Sequence, residues 1–188
     1  MHEIIQSYIE GLQHCLVELS NQDIEEIADI VYDAYNKDKQ IFILGNGGSA
    51  STASHFACDL GKGTVVAGKP RLRVISITDN VALITALAND IDYSSIFTEQ
   101  LANLLNEGDV VIGISASGNS PNVVKAIEFA RGKGATTLGL IGFGGGKLKE
   151  LVDKSIILSS KDYGQVEDAH MSLIHIICYM VKARMVNG

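Results

Sequence analysis

Four side chains in this sequence have types and spacings suited to proton transfer or metal binding. His55 and Asp59 stand four positions apart, and Glu167 and His175 eight apart. On helices, each pair would lie on or close to one face. Two imidazoles and two carboxylates can bind a divalent metal or relay a proton, and an unperturbed imidazole, with a pKa of about 6.5, exchanges protons at neutral pH. Taken singly, each histidine is more readily a packed or solvated residue, and His170 has the same apolar neighbours as His175. Two anion-binding turns elsewhere in the chain raise His55 and His175 above that background.

The first turn, Gly45-Asn46-Gly47-Gly48-Ser49, follows the apolar run Ile41-Phe42-Ile43-Leu44 and leads into a segment carrying His55 and Asp59. In such a strand-turn-helix unit, free N–H groups at the helix start can hold an anion. The turn fits G-x-G-x-x-A, a weak dinucleotide pattern, but lacks the Gly-Lys-Ser/Thr ending of an NTPase loop. Asp79 ends the second strand later than the usual spacing for a ribose-binding acid, and a dinucleotide leaves the second turn unexplained.

That second turn is Ser115-Ala116-Ser117-Gly118-Asn119-Ser120-Pro121, after the apolar run Val110-Val111-Ile112-Gly113-Ile114. Pro121 fits the first helical position, and Ser120 is placed to cap the helix. Three hydroxyls at a helix start suit a phosphate monoester, which offers several acceptor oxygens and favours the positive end of a helix dipole. The competing reading is a capped turn that binds nothing.

These turns require strands and helices to position them. Further apolar, β-branched runs occur at Leu72–Ile77, Thr137–Ile141 and Ser155–Leu158. Helical segments are expected at Asn80–Ala88, Tyr93–Leu105, Pro121–Lys133 and Gly145–Val152, with a long final helix from Gly164 to Val186. Strands alternating with helices predict an α/β three-layer sandwich, flavodoxin-like, with a five-stranded parallel sheet and helices on both faces. Two amphipathic helices precede the first strand, one with Ile4, Ile5, Tyr8, Ile9, Leu12 and Leu16 at helical spacing. They cannot both serve a crossover, so packing against another subunit is expected. Gly142-Phe143-Gly144-Gly145-Gly146 reads as a flexible turn.

The chain has 188 residues and an apolar share of 46%, enough for one domain with a real core. Its net charge of −7 would repel a phosphate backbone, and no basic patch offsets it, so no nucleic-acid role is expected. The start lacks a signal-peptide pattern and no apolar run approaches a membrane span, which predicts a cytoplasmic protein without a membrane partner. Cys15, Cys58 and Cys178 are odd in number, far apart and among apolar residues, as expected of reduced core thiols.

Together the motifs resemble the sugar isomerase (SIS) domain family, and within it the phosphoheptose isomerase branch. The resemblance runs over nearly the whole chain: the paired leading helices, Gly45–Ser49, His55-Phe56-Ala57, Ala88-Asn89-Asp90, Gly113–Ser120, Asn122–Ile127 and His170–Ile177. It implies a single SIS domain over 1–188, with the helical pair in 1–37 used for oligomerisation into a homotetramer whose active sites lie at subunit interfaces. It further implies conversion of sedoheptulose 7-phosphate to D-glycero-D-manno-heptose 7-phosphate for surface-polysaccharide precursors. Ser115, Ala116, Ser117 and Ser120 would hold the phosphate, and Asn46, Gly47, Ser49, Asn89, Asp90 and Glu167 would meet the substrate. Asp59 and His175 would move a proton between C1 and C2. Some members hold one zinc per site at positions matching His55, Asp59, Glu167 and His175; no nucleotide is expected.

The chain departs from that branch at Asp59, where Glu is usual, and at Glu167, where Gln is usual. Ala116 replaces a common threonine, and Gly63 and Gly164 stand where arginine and aspartate are known near the sugar. The phosphate end is therefore retained and the sugar end altered. The alternatives are an isomerase for another sugar phosphate, and a non-catalytic SIS module that binds a sugar phosphate or a replication initiator; His175 weighs against the latter.

Overall fold

The apolar run before the glycine turn forms β1 (Gln40–Gly45), which lies in the interior of a sheet in the computed structural model, where residues 1–188 are described. The other strands are β2 (Arg73–Ser76), β3 (Val110–Ser115), β4 (Thr136–Ile141) and β5 (Lys154–Ile157). Their order is β2-β1-β3-β4-β5, and every pairing is parallel. The strand order reverses between β1 and β3, the place where ligands settle in open α/β sheets. Gly45 of β1 pairs with Ile114 of β3, so the two glycine- and serine-rich turns leave the sheet side by side.

Burial on both faces explains why the inner strands β1, β3 and β4 read as continuous apolar runs. Ile41 and Ile43 face one layer with Phe56, Leu60, Ile174 and Ile177. Phe42 and Leu44 face the other with Phe97, Leu101, Val123 and Ile127. The helices are α1 (His2–Val17), α2 (Asn21–Asn36), α3 (Gly48–Cys58), α4 (Val81–Asp90), α5 (Thr98–Leu104), α6 (Pro121–Gly132), α7 (Leu148–Leu151) and α8 (Tyr163–Asn187).

The leading helices behave differently. The Ser20 hydroxyl accepts from the Asp23 amide at 3.2 Å and caps α2, which buries Ile24, Ile27, Ala28, Val31 and Ala34. In α1 only Cys15 is buried, while Ile4 is 69% and Ile5 57% exposed. Both helices pack on α8, as does α3. The long final helix thus joins the amino-terminal pair to the helix that follows the glycine turn.

Three expectations are corrected. The segment expected as one helix over Tyr93–Leu105 is a 3-10 turn at Tyr93–Ser95 followed by α5, because the Asp92 carboxylate accepts the Ser94 amide at 2.6 Å and closes a separate turn. The helix expected from Gly145 begins only at Leu148, since Gly144, Gly145 and Gly146 have φ of 81°, 101° and 52°, outside the helical region. Cys58 is exposed at the end of α3, whereas Cys15 and Cys178 are buried. No helix is long and apolar enough to cross a membrane.

Candidate active site

The serine turn after β3 forms one wall of a cavity of about 160 Å³, lined by Asn46, Ser49, Ser115, Ala116, Ser117, Ser120, Tyr163 and Glu167, with Ile114 at its base. The Ser115 hydroxyl accepts from the Gly118 amide at 3.1 Å, and the Ser117 hydroxyl from the Asn119 amide at 3.2 Å. Ser120 sits at the N-cap of α6, yet its side chain makes no capping bond; its oxygen lies 3.5 Å from that of Ser115. The Val123 amide, which an N-cap hydroxyl could accept, donates instead to the Asn122 side chain at 2.9 Å, so the Ser120 hydroxyl is left to the cavity.

The turn holds its shape by packing backbone on backbone. Gly118 has φ of 65°, and a Cβ there would collide with the Gly145 carbonyl. The Asn119 side chain ties the two loops, donating to the Ser117 carbonyl at 2.9 Å and accepting from the Lys147 amide at 3.1 Å. The Gly142–Gly146 turn is thus a packed backing for the serines rather than a free loop.

Asn46 is fixed by two residues that were not among the expected site residues. Asn46 and Asn122 exchange two amide hydrogen bonds, at 2.8 and 2.9 Å, and the Asn122 oxygen also accepts the Val123 amide at 2.9 Å. The Tyr93 hydroxyl donates to the Asn46 oxygen at 3.1 Å. Asn122, 1% exposed, bridges the two turns from beneath. Its place directly after Pro121, in the first turn of α6, was the only local sign of it.

At its carboxyl end α3 passes into a π-helical turn, Asp59–Gly63, a feature frequent at functional sites. There the carboxylate of Asp59 meets two imidazoles. Its Oδ2 lies 2.9 Å from His175 Nδ1 and 3.4 Å from His55 Nε2. The two rings stand edge to face with centroids 5.0 Å apart. All three side chains are partly open to a cavity of about 360 Å³, also lined by Gly63, Cys178, Tyr179 and Lys182. One ligand atom from each of His55, Asp59 and His175 falls within 4.8 Å of the others, and this nitrogen and oxygen donor set fits zinc.

The site residues expected from the sequence therefore divide. Asn46, Ser49, Ser115, Ala116, Ser117, Ser120 and Glu167 share one cavity, while His55, Asp59 and His175 meet at the other. Glu167, expected beside His175, stands with the serines, its carboxylate so close over Gly48 that a Cβ there would clash with it. Gly47, at the N-cap of α3 with φ of 57°, and Asn89 and Asp90, which share a hydrogen bond of 2.8 Å at the end of α4, line neither cavity.

Two buried groups nearby have shifted acidities. Burial lowers the His170 pKa to about 4, and neither ring nitrogen has a hydrogen-bond partner; the Ile141 carbonyl opposes the shift weakly without being aligned to accept. His170 is thus a neutral core residue, whereas the His175 side chain is 39% exposed at the cavity. Burial, with a smaller push from Asp59, raises the Cys178 thiol to about 12, so it stays protonated beside the cluster.

Comparison with known proteins agrees with this geometry. Residues 6–142 match the SIS domain family. A phosphoheptose isomerase of Trichlorobacter lovleyi is 40% identical over 159 residues, covering 85% of this chain and 81% of the relative. One from Akkermansia muciniphila is 33% identical over the full length of both chains. Among solved structures, a phosphoheptose isomerase from Neisseria gonorrhoeae superposes with a TM-score of 0.88 at 26% identity, covering 97% of this chain and 96% of that one.

Proposed function

This chain belongs to the SIS domain family, and from its site and its phosphoheptose isomerase relatives we infer that it is an aldose-ketose isomerase converting sedoheptulose 7-phosphate to D-glycero-D-manno-heptose 7-phosphate. The observation that carries the chemistry is the meeting of Asp59 with His175 at 2.9 Å, on helices that also line the serine cavity. The pathway it serves is the making of surface-polysaccharide precursors.

Moving a carbonyl from C2 to C1 requires loss of a proton from C1, gain of one at C2, and proton exchange between the two oxygens of the enediolate. Asp59 and His175 form the proton-transfer pair. The carboxylate oxygen lies within hydrogen-bonding distance of the imidazole, so a proton taken by one group can be passed to the other. The phosphate is held in the cradle of Ser115, Ser117 and Ser120, which adds binding energy away from the reacting carbons and fixes their position. Asn46, locked by Asn122 and Tyr93, and Ser49 meet the sugar hydroxyls.

His55, Asp59 and His175 would hold one zinc ion per site, and Glu167 would turn toward it or remain as a substrate contact. When bound, such an ion would supply Lewis acidity toward a carbonyl oxygen. The helical pair in 1–37 forms part of a subunit interface in a homotetramer, a reading favoured by the exposed apolar residues of α1. The protein works in the cytoplasm on a free sugar phosphate.

The test is direct: purified protein, with and without zinc, interconverts the two heptose phosphates, and His175→Ala abolishes this. A wild-type protein inactive on heptose, hexose and pentose phosphates alike would overturn the reading. Binding without incorporation of solvent deuterium into the sugar would instead identify a non-catalytic sugar-phosphate module.

A further inference from the structure

The serine cavity has an aromatic side that no hydroxyl accounts for. Tyr163, the first residue of α8, lines it together with Ser117, Ser120 and Glu167. Tyr163 and Glu167 are four positions apart, which puts both on one helix face. The Tyr163 ring meets Phe143 edge to face, with centroids 4.7 Å apart and planes at 69°, a favoured aromatic geometry. Phe143 itself is held in the left-handed region, at φ of 49°, uncommon for an aromatic residue. Its amide donates to the Ser160 carbonyl at 3.3 Å, and the Leu158 amide donates to the Ile141 carbonyl at 2.8 Å. The two segments that carry the aromatic pair are therefore tied together, and Phe143 backs the Tyr163 ring.

A phosphate group uses donors, and the cradle supplies them from Ser115, Ser117, Ser120 and the turn amides. An aromatic ring adds nothing to inorganic phosphate but offers an apolar face to whatever carbon chain follows the ester oxygen. We propose that Tyr163, supported by Phe143, is a substrate-contacting residue that packs against the carbons next to the phosphate and makes the cradle select organic phosphate esters over inorganic phosphate. Phe143 acts as a positioning residue through Tyr163. This rests on the isomerase reading only for the identity of the ester that occupies the cradle.

The experiment compares calorimetric binding of glycerol 3-phosphate and of inorganic phosphate to wild type, Tyr163→Ala, Tyr163→Phe and Phe143→Ala. One buried CH₂ group is worth about fourfold in affinity, so the wild type should prefer the ester by roughly fourfold to fifteenfold if one or two carbons meet the ring. Tyr163→Ala should reduce that preference to near unity while leaving inorganic phosphate affinity unchanged; Tyr163→Phe should keep it, and Phe143→Ala should lower it. A purely structural role would move both affinities together, not their ratio. If Tyr163→Ala does not fold, Phe143→Ala decides, and an unchanged ratio there overturns the proposal. Loss of the preference in Tyr163→Phe would also overturn it, by making the hydroxyl the contact instead of the ring. Phosphate binding with an unaltered ratio in Tyr163→Ala overturns this inference alone, whereas failure of the wild type to bind phosphate overturns the cradle assignment beneath it.

Discussion

The Nδ1 atom of His175 lies 2.9 Å from Oδ2 of Asp59 although 116 positions of sequence separate them. This contact places an imidazole against a carboxylate shorter than glutamate, at a point where α3 opens into a π turn. Asp59→Asn keeps the shape and removes the base, so kcat should fall by about 10²- to 10⁴-fold with little change in KM. His175→Ala should lose a similar factor, and the double variant no more than the larger single loss, because the two act as a unit. Steady-state kinetics on the heptose phosphate settle this.

Zinc binding should depend on all three clustered side chains. Equilibrium dialysis of protein prepared without chelator should find up to one zinc per chain, and His55→Ala should weaken binding more than Glu167→Gln does, since Glu167 stands in the other cavity. Equal losses in both variants would mean that Glu167 swings across to join the cluster.

The phosphate cradle should respond differently. Ser120 makes no capping bond, so Ser120→Ala removes a ligand donor without costing the helix its cap. KM should rise by roughly 10- to 100-fold, the worth of a hydrogen bond to a charged group, with kcat and thermal stability close to wild type.

Asn122→Ala should destabilise the fold and blunt the site together. It strands the buried Val123 amide, unpairs the half-buried Asn46 amide and should cost about 1–3 kcal/mol in chemical denaturation. Removing Tyr93's hydroxyl with Tyr93→Phe deletes one exposed bond to the same oxygen and should cost less.

Stability should fall with acid through His170. Its folded pKa, about 4, lies below the ordinary 6.5, so between those values the unfolded chain binds the proton and the folded one does not. The stabilisation is complete above about pH 6.5 and is lost as pH falls toward 4, by an amount on the order of 3 kcal/mol. His170→Leu should flatten the denaturation free energy across that window; an unchanged pH slope would show that the ring is not buried neutral.

The fold was readable because the inner strands β1, β3 and β4 are buried on both faces, and runs such as Ile41–Leu44 and Val110–Ile114 leave little choice of assignment. His55 and Asp59 were readable as a pair because four residues make about one helical turn. Glu167 and His175 were less so: eight positions leave a residual rotation of about 80° and a rise of about 12 Å, enough to send one side chain to each cavity. The tie from Asn122 and Tyr93 to Asn46 was not legible beyond Asn122's place after Pro121, since it depends on which turns the sheet brings together. The break at Asp92 and the late start of α7 turned on backbone angles that composition only hints at.

The apolar residues that α1 leaves in water have a consequence for how the protein's robustness should be described. If a second copy covers the hydrocarbon on Ile4, Ile5 and Ile9, as the proposed interface requires, association adds to the stability of the fold. The unfolding temperature should then climb with protein concentration, and dilution alone should lower it, so that heat resistance belongs to the population of chains and not to any one of them.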